Sequence, residues 1–232
     1  MIEEANENGY QGDKASAKVC QDIVLKALSV GPLSRNVTIK GGVVMRSKTN
    51  NVRRATQDLD IDFIKYSLAD ESIDAFISKL NCLDGIKISR LGKIDLGVHN
   101  RFELEQEEYC FDIAYDDEGA SLLINSDEQM LAEKLRSLLK FGPFSTRYKD
   151  VYDMYYLKDS VNREKLMVAL DTYIFNDTTI KENTGNDIVR RLKIAFSDKS
   201  YIHRLDISDK RWIDEEIDIV TEGILEFMGK IC

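Results

Sequence analysis

Between Asp58 and Ile64 the chain reads Asp-Leu-Asp-Ile-Asp-Phe-Ile, an alternation of carboxylate and hydrophobe with period two. Only a β-strand sorts such a run into two faces, with Asp58, Asp60 and Asp62 on one and Leu59, Ile61 and Phe63 on the other. Carboxylates crowded on one face of a sheet repel and raise each other's pKa unless a cation stands between them. A magnesium ion satisfies that need, because it takes one or two carboxylates together with waters and substrate phosphates. The competing reading is an edge strand whose polar face is simply wet, as antiparallel sheets allow. Asp62, one pleat beyond Asp60, reads as peripheral.

What precedes the alternation bears on the choice. The 232 residues hold 32 Lys and Arg against 41 Asp and Glu, a net charge of -9 that argues against a generic coat for DNA or an anionic membrane. Yet from Arg35 to Gln57 there are six basic residues, Arg35, Lys40, Arg46, Lys48, Arg53 and Arg54, and no acid. A short strand at 37–39 ends in Gly41-Gly42, and a helix opening at Val43 would point its free amides back at that turn. Glycine amides, a helix N-terminus and nearby cations are what a polyphosphate needs. Arg46 and Arg54 stand nearest the glycines or the carboxylates and are favoured over Lys48. For any one of them a solvated basic face remains the alternative.

With Pro32 and Pro143 as its only prolines, the chain has few hard breakers and should be rich in helix. Apolar spacing predicts helices over 15–29 and 70–80, then three strands in meander at 86–91, 99–105 and 109–115. From about residue 125 the period is helical throughout. Ser126 with Gln129 forms a capping box for a helix through Phe141, closed by Gly142-Pro143. Ile213, Ile217, Val220, Ile224 and Met228 draw the cleanest apolar stripe. The expected fold class is therefore α+β, with a mixed-sheet domain over 1–124 and a helical half over 125–232. His99 and His203 are too few for a zinc site of several imidazoles. Cys20, Cys82, Cys110 and Cys232 lack metal or disulfide spacing and read as reduced thiols, Cys110 as a core residue. There is no apolar leader at the start and no run of about 18 apolar residues. A cytoplasmic protein with no membrane contact is expected.

Four further residues stand out. Lys134 falls in the apolar stripe of its helix, one turn from Leu131 and Leu138, so it needs an anionic partner, bound phosphate being one candidate, or must snorkel to water. Asp150, with Asp153, lies near a helix start, where the macrodipole favours acids for structural reasons alone. Asp112 projects from a late strand between apolar neighbours.

Lys40-Gly41-Gly42 followed by Arg54-Ala55-Thr56-Gln57-Asp58-Leu59-Asp60 resembles the first signature of the DNA polymerase β-like nucleotidyltransferases, in the form found in the AbiEii/AbiGii abortive-infection toxin family. Ala132-Glu133-Lys134-Leu135 resembles that family's helix with an essential lysine. Arg147-Tyr148-Lys149-Asp150-Val151-Tyr152-Asp153 resembles its Arg-x-x-Asp-x-x-Asp segment. The resemblance implies an N-terminal nucleotidyltransferase domain that moves a nucleoside monophosphate from an NTP to an acceptor, with the 3′ end of tRNA as that acceptor. Asp58 and Asp60 would hold Mg²⁺ or Mn²⁺. Gly41, Gly42, Arg46, Arg54, Thr56 and Lys134 would bind nucleotide, while Asp112 or Asp150 would help activate the attacking hydroxyl. It further implies a toxin with a cognate antitoxin. The rival expectations are an inactive nucleotide- or partner-binding module of the same fold, and transfer to a protein or small molecule.

Overall fold

The computed structural model describes residues 1–67, 69–86, 94–99, 102–114 and 116–231. The fold is α+β, and the chain divides into two compact units, Met1–Asn125 and Ser126–Cys232.

The first unit opens with α1 (Ile2–Glu7) and α2 (Asp13–Val30), which ends at Gly31. Val24, Leu25, Ala27 and Leu28 of α2 are buried, each large apolar side chain contributing about 1.5–3 kcal/mol. Strand β1 (Val37–Lys40) runs straight into α3 (Gly41–Thr49), so the helix begins at the glycine pair. After a 3₁₀ turn at Val52–Arg54 come β2 (Leu59–Ile64), α4 (Asp70–Leu80), β3 (Ile94–His99), β4 (Glu107–Phe111) and β5 (Ala120–Ile124). The described sheet has the order β3-β2-β1-β5-β4. β1 pairs antiparallel with β2, placing Lys40 opposite Asp60, and parallel with β5. Leu59, Ile61 and Phe63 are buried as the alternation demands.

The expected meander is not what forms. Of its first strand, 86–91, all but residue 86 lies outside the described residues. The second falls at Ile94–His99 rather than 99–105, the third at Glu107–Phe111 rather than 109–115, and Ala120–Ile124 adds a strand not foreseen. β3 pairs parallel with β2, which a hairpin cannot achieve, so the chain crosses over by way of α4. Cys110 is exposed on β4 and not in the core.

In the second unit α5 (Asp127–Phe141) starts at Ser126, whose hydroxyl accepts the Gln129 amide. It is followed by α6 (Tyr148–Leu157), α7 (Arg163–Leu170) with a π-helical turn at Asp171–Phe175, α8 (Gly185–Ser197), α9 (Lys199–Asp206) and α10 (Ile217–Ile231). Leu131, Leu135, Leu138, Met154, Leu192 and Val220 supply its core. The last stripe belongs to α10 from Ile217 onward, Ile213 lying before the helix. Among the described residues no helix is long and apolar enough to cross a membrane.

Candidate functional site

At the start of α3 the backbone of Gly41 has φ of 66°, a left-handed conformation that glycine adopts without strain. The Asp60 carboxylate lies directly against it: a Cβ at Gly41 would fall on Asp60 Oδ2, far inside contact distance. A Cβ at Gly42 would come within 2.7 Å of the Thr56 side chain. Both glycines are thus required by close approach, and the structure brings Gly41, Gly42, Thr56 and Asp60 together at a helix N-terminus. The loop that carries Asp58 is held from α2, where the buried Gln21 amide donates to the carbonyls of Thr56 (3.1 Å) and Asp58 (3.4 Å).

Arg46 occupies a different place from the one expected of a phosphate ligand. It is buried, donates to Gln21 Oε1 and stands 3.6 Å from Asp22, itself fully buried. Burial lowers the pKa of its guanidinium, an effect opposed by Asp22 and Tyr10. Its contribution to the site runs through Gln21, which it braces. Arg54 is also buried, in the 3₁₀ turn that leads into the Asp58 loop.

The sheet register settles the placement of the remaining acids of this unit. Asp95 on β3 is the cross-strand partner of Asp60, so both side chains rise from the same face, and Asp95 is exposed. No expectation included it, because Ile94-Asp95-Leu96 is too short an alternation to stand out. Asp62 is buried, 2.8 Å from Lys40 Nζ and 3.4 Å from His99 Nε2. Asp112 is not beside Asp58 and Asp60. Glu107, at the start of β4, pairs with Ile124, the neighbour of Ile39 at the Asp60 end of the sheet, and Asp112 follows the far end of β4. At about 3.3 Å per residue it stands roughly 16 Å along the strand from Glu107. There it is exposed and lines a cleft with Lys18, Tyr10 and Asn50. Among the described residues no group of three or more His, Cys, Asp or Glu side chains is assembled into a metal cage.

In the second unit, the anionic partners of Lys134 are carboxylates. Its ammonium lies 2.7 Å from Asp153 and 3.2 Å from Asp150. Asp153 is fully buried and accepts the Trp212 indole N–H at 3.0 Å, whereas Asp150 is partly open and has Arg147 Nε at 3.5 Å. One acid therefore fixes the lysine from inside while the other faces outward beside it. Asp153 had only a helix-start reading in the sequence, which its burial supersedes. Fully buried Tyr201 has its hydroxyl pKa pushed up by burial, reinforced by Tyr148 and Asp150.

A family model described as "Nucleotidyl transferase AbiEii toxin, Type IV TA system" matches residues 84–220, more than half of the chain. The matched span contains Asp95, Lys134, Asp150 and Asp153, while the glycine pair and Asp58–Asp60 precede it. No curated protein and no solved structure gives a match.

Proposed function

The chain belongs to the AbiEii nucleotidyl transferase toxin family of type IV toxin–antitoxin systems, and from that premise we propose that it transfers a nucleoside monophosphate from an NTP to the 3′-terminal hydroxyl of tRNA, releasing pyrophosphate. The observation that carries this reading is the Asp60 carboxylate seated on Gly41 at the N-terminus of α3. It sets an acidic group next to backbone amides that favour anions.

Asp58 and Asp60 fit a divalent ion in kind and number, since Mg²⁺ or Mn²⁺ bound with a nucleotide needs one or two protein carboxylates and takes its other oxygens from phosphate and water. When bound, such an ion neutralises triphosphate charge and polarises the phosphorus to be attacked. Asp95, in register with Asp60, sets a second carboxylate beside it on the sheet. The first amides of α3 and the Gly41-Gly42 turn receive phosphate oxygens, and Thr56 closes the turn from the side. For Lys134 the family resemblance implies charge stabilisation on the nucleotide, and for Asp150 positioning of Lys134, help with metal binding or activation of the attacking hydroxyl. The 3.2 Å contact of Asp150 with Lys134, a lysine anchored by buried Asp153, supports the positioning role for Asp150. Phosphoryl transfer depends mainly on positioning and electrostatics, and these groups are suited to both. The cognate antitoxin is the expected protein partner.

Incubation with each labelled NTP, Mg²⁺ and total RNA, followed by sizing of the products, tests the reading. Label in RNA of tRNA size is expected. Label in protein would move the acceptor to a side chain, and label in neither would favour a nucleotide- or partner-binding module.

A further inference from the structure

From Lys134 to Lys149 the chain carries Lys134, Arg136, Lys140, Arg147 and Lys149 and not one acid, with Phe141, Phe144 and Tyr148 interleaved. In a chain of net charge -9 this is a second basic, acid-free segment, of whose cations only Lys134 and Arg147 enter the site described above. Its middle is the turn Gly142–Phe144, on which Phe144 is 86% exposed and Phe141 49%.

The turn is held in place. Arg191 Nε donates to the Leu139 carbonyl at 3.3 Å, and Arg204 Nη2 donates to the Pro143 carbonyl at 2.9 Å. Gly142 has φ of 54° and takes the Arg191 guanidinium so closely that a Cβ would lie 2.7 Å from Nη2. Two arginines from α8 and α9 therefore fix a turn whose outermost side chain is an aromatic ring in water. A cleft of about 680 Å³ reaches Phe141, just before the turn, and is lined by the cations Arg136, Lys140 and Arg147 together with the acids Glu133 and Asp177. Arg136 is paired with Asp177 and Arg147 has Asp150 at 3.5 Å, but Arg147 and Lys140 are exposed, standing three residues after and four before Phe144 in the chain.

A rigid, solvated aromatic flanked by cations suits a ligand that is itself a polyanion with flat apolar faces. Unstacked nucleobases meet that description, and duplex RNA, whose bases are stacked away, does not. We propose that the Phe144 turn with Lys140 and Arg147 is a docking platform for single-stranded RNA, one base stacking on Phe144 and backbone phosphates meeting the two cations. This rests on, and deepens, the reading of an RNA 3′ end as acceptor.

The test is fluorescence anisotropy of a labelled eight-nucleotide single-stranded RNA with the full chain, comparing wild type, Phe144→Ala, Phe144→Trp and Lys140→Ala, each checked for native helicity. Phe144→Ala should weaken binding about tenfold, within the range for loss of one base–aromatic stack, and Phe144→Trp should restore it. Lys140→Ala should lower the salt slope by about 0.7, the share of one phosphate contact on a single strand. A blunt RNA duplex should compete poorly. Binding by Phe144→Ala within about twofold of wild type, or equal competition by the duplex, would overturn the platform and assign the turn to a protein partner. RNA labelling with NTP is scored separately. Label in RNA with unchanged Phe144→Ala binding refutes the platform alone, whereas Phe144-dependent RNA binding with label only in protein refutes the acceptor reading and leaves the platform standing.

Discussion

Replacing Lys134 by methionine keeps most of the side chain's volume and removes the charge 2.7 Å from Asp153, a fully buried carboxylate. Removing one member of a buried ion pair costs about 3–5 kcal/mol. The lower end applies here, because the Trp212 indole still donates to Asp153. Lys134→Met should therefore lose about 3 kcal/mol of stability. Asp153→Asn preserves shape and an acceptor for Trp212 but surrenders the charge, and should lose about 2 kcal/mol, the scale of a hydrogen bond to an ionised group. Asp150→Asn, at a partly open carboxylate, should lose under about 1 kcal/mol. The double variant Lys134→Met/Asp153→Asn should be more stable than the sum of the singles by at least about 1 kcal/mol, since both remove one interaction. Urea unfolding reads all four, and Trp212, the single tryptophan of the chain, reports on Asp153 through its emission. Additive single effects, or a loss below about 1 kcal/mol for Lys134→Met, would refute the claim that Asp153 anchors the lysine.

Other outcomes follow from the same geometry. Gly41→Ala imposes a left-handed conformation costing about 1–2 kcal/mol and pushes a methyl group into the Asp60 carboxylate, so both urea stability and nucleotide transfer should fall. Asp95→Asn should slow transfer at least about tenfold, while Asp112→Asn, at the other end of the sheet, should leave the rate as it is. The Asp177 carboxyl is held down to about 2 by the Thr179 amide and hydroxyl and by Arg136. A depressed acid contributes stability that is present above its unfolded pKa of about 4 and lost as pH falls toward the folded value. Melting temperature between pH 5 and 2 should accordingly drop less steeply in Asp177→Asn than in wild type.

The parts of the fold legible in the sequence are those where one physical signal dominates. The alternation at 58–64, the glycine stop after 37–39 and the cap at Ser126 each specify a local conformation, and each element forms where its signal lies. Topology is another matter. Whether Ile94–His99 returns antiparallel or crosses over to lie parallel to β2 depends on pairing between residues distant in the chain, and Gly97 and His99 weaken its alternation further. Losing that strand also hid Asp95, whose significance comes entirely from standing opposite Asp60. Arg46 is misplaced for a related reason. A charged residue near a glycine in sequence looks available to a ligand until the fold supplies its counter-ion, here Asp22. Lys134 was legible as a buried cation from its helical stripe and Asp150 as a site residue from the Arg-x-x-Asp-x-x-Asp resemblance, but nothing local marked Asp153 as the lysine's buried partner.

In the proposed reaction the carboxylates that follow the Gly41-Gly42 turn, Asp58 and Asp60, carry the transfer. The most direct measurement is the initial rate of labelled nucleoside monophosphate incorporation into RNA by wild type and by Asp58→Ala/Asp60→Ala across a Mg²⁺ series. A fall of about 100-fold or more in the variant, not recovered by added metal, is the predicted result. Incorporation by the variant within about tenfold of wild type would contradict the claim.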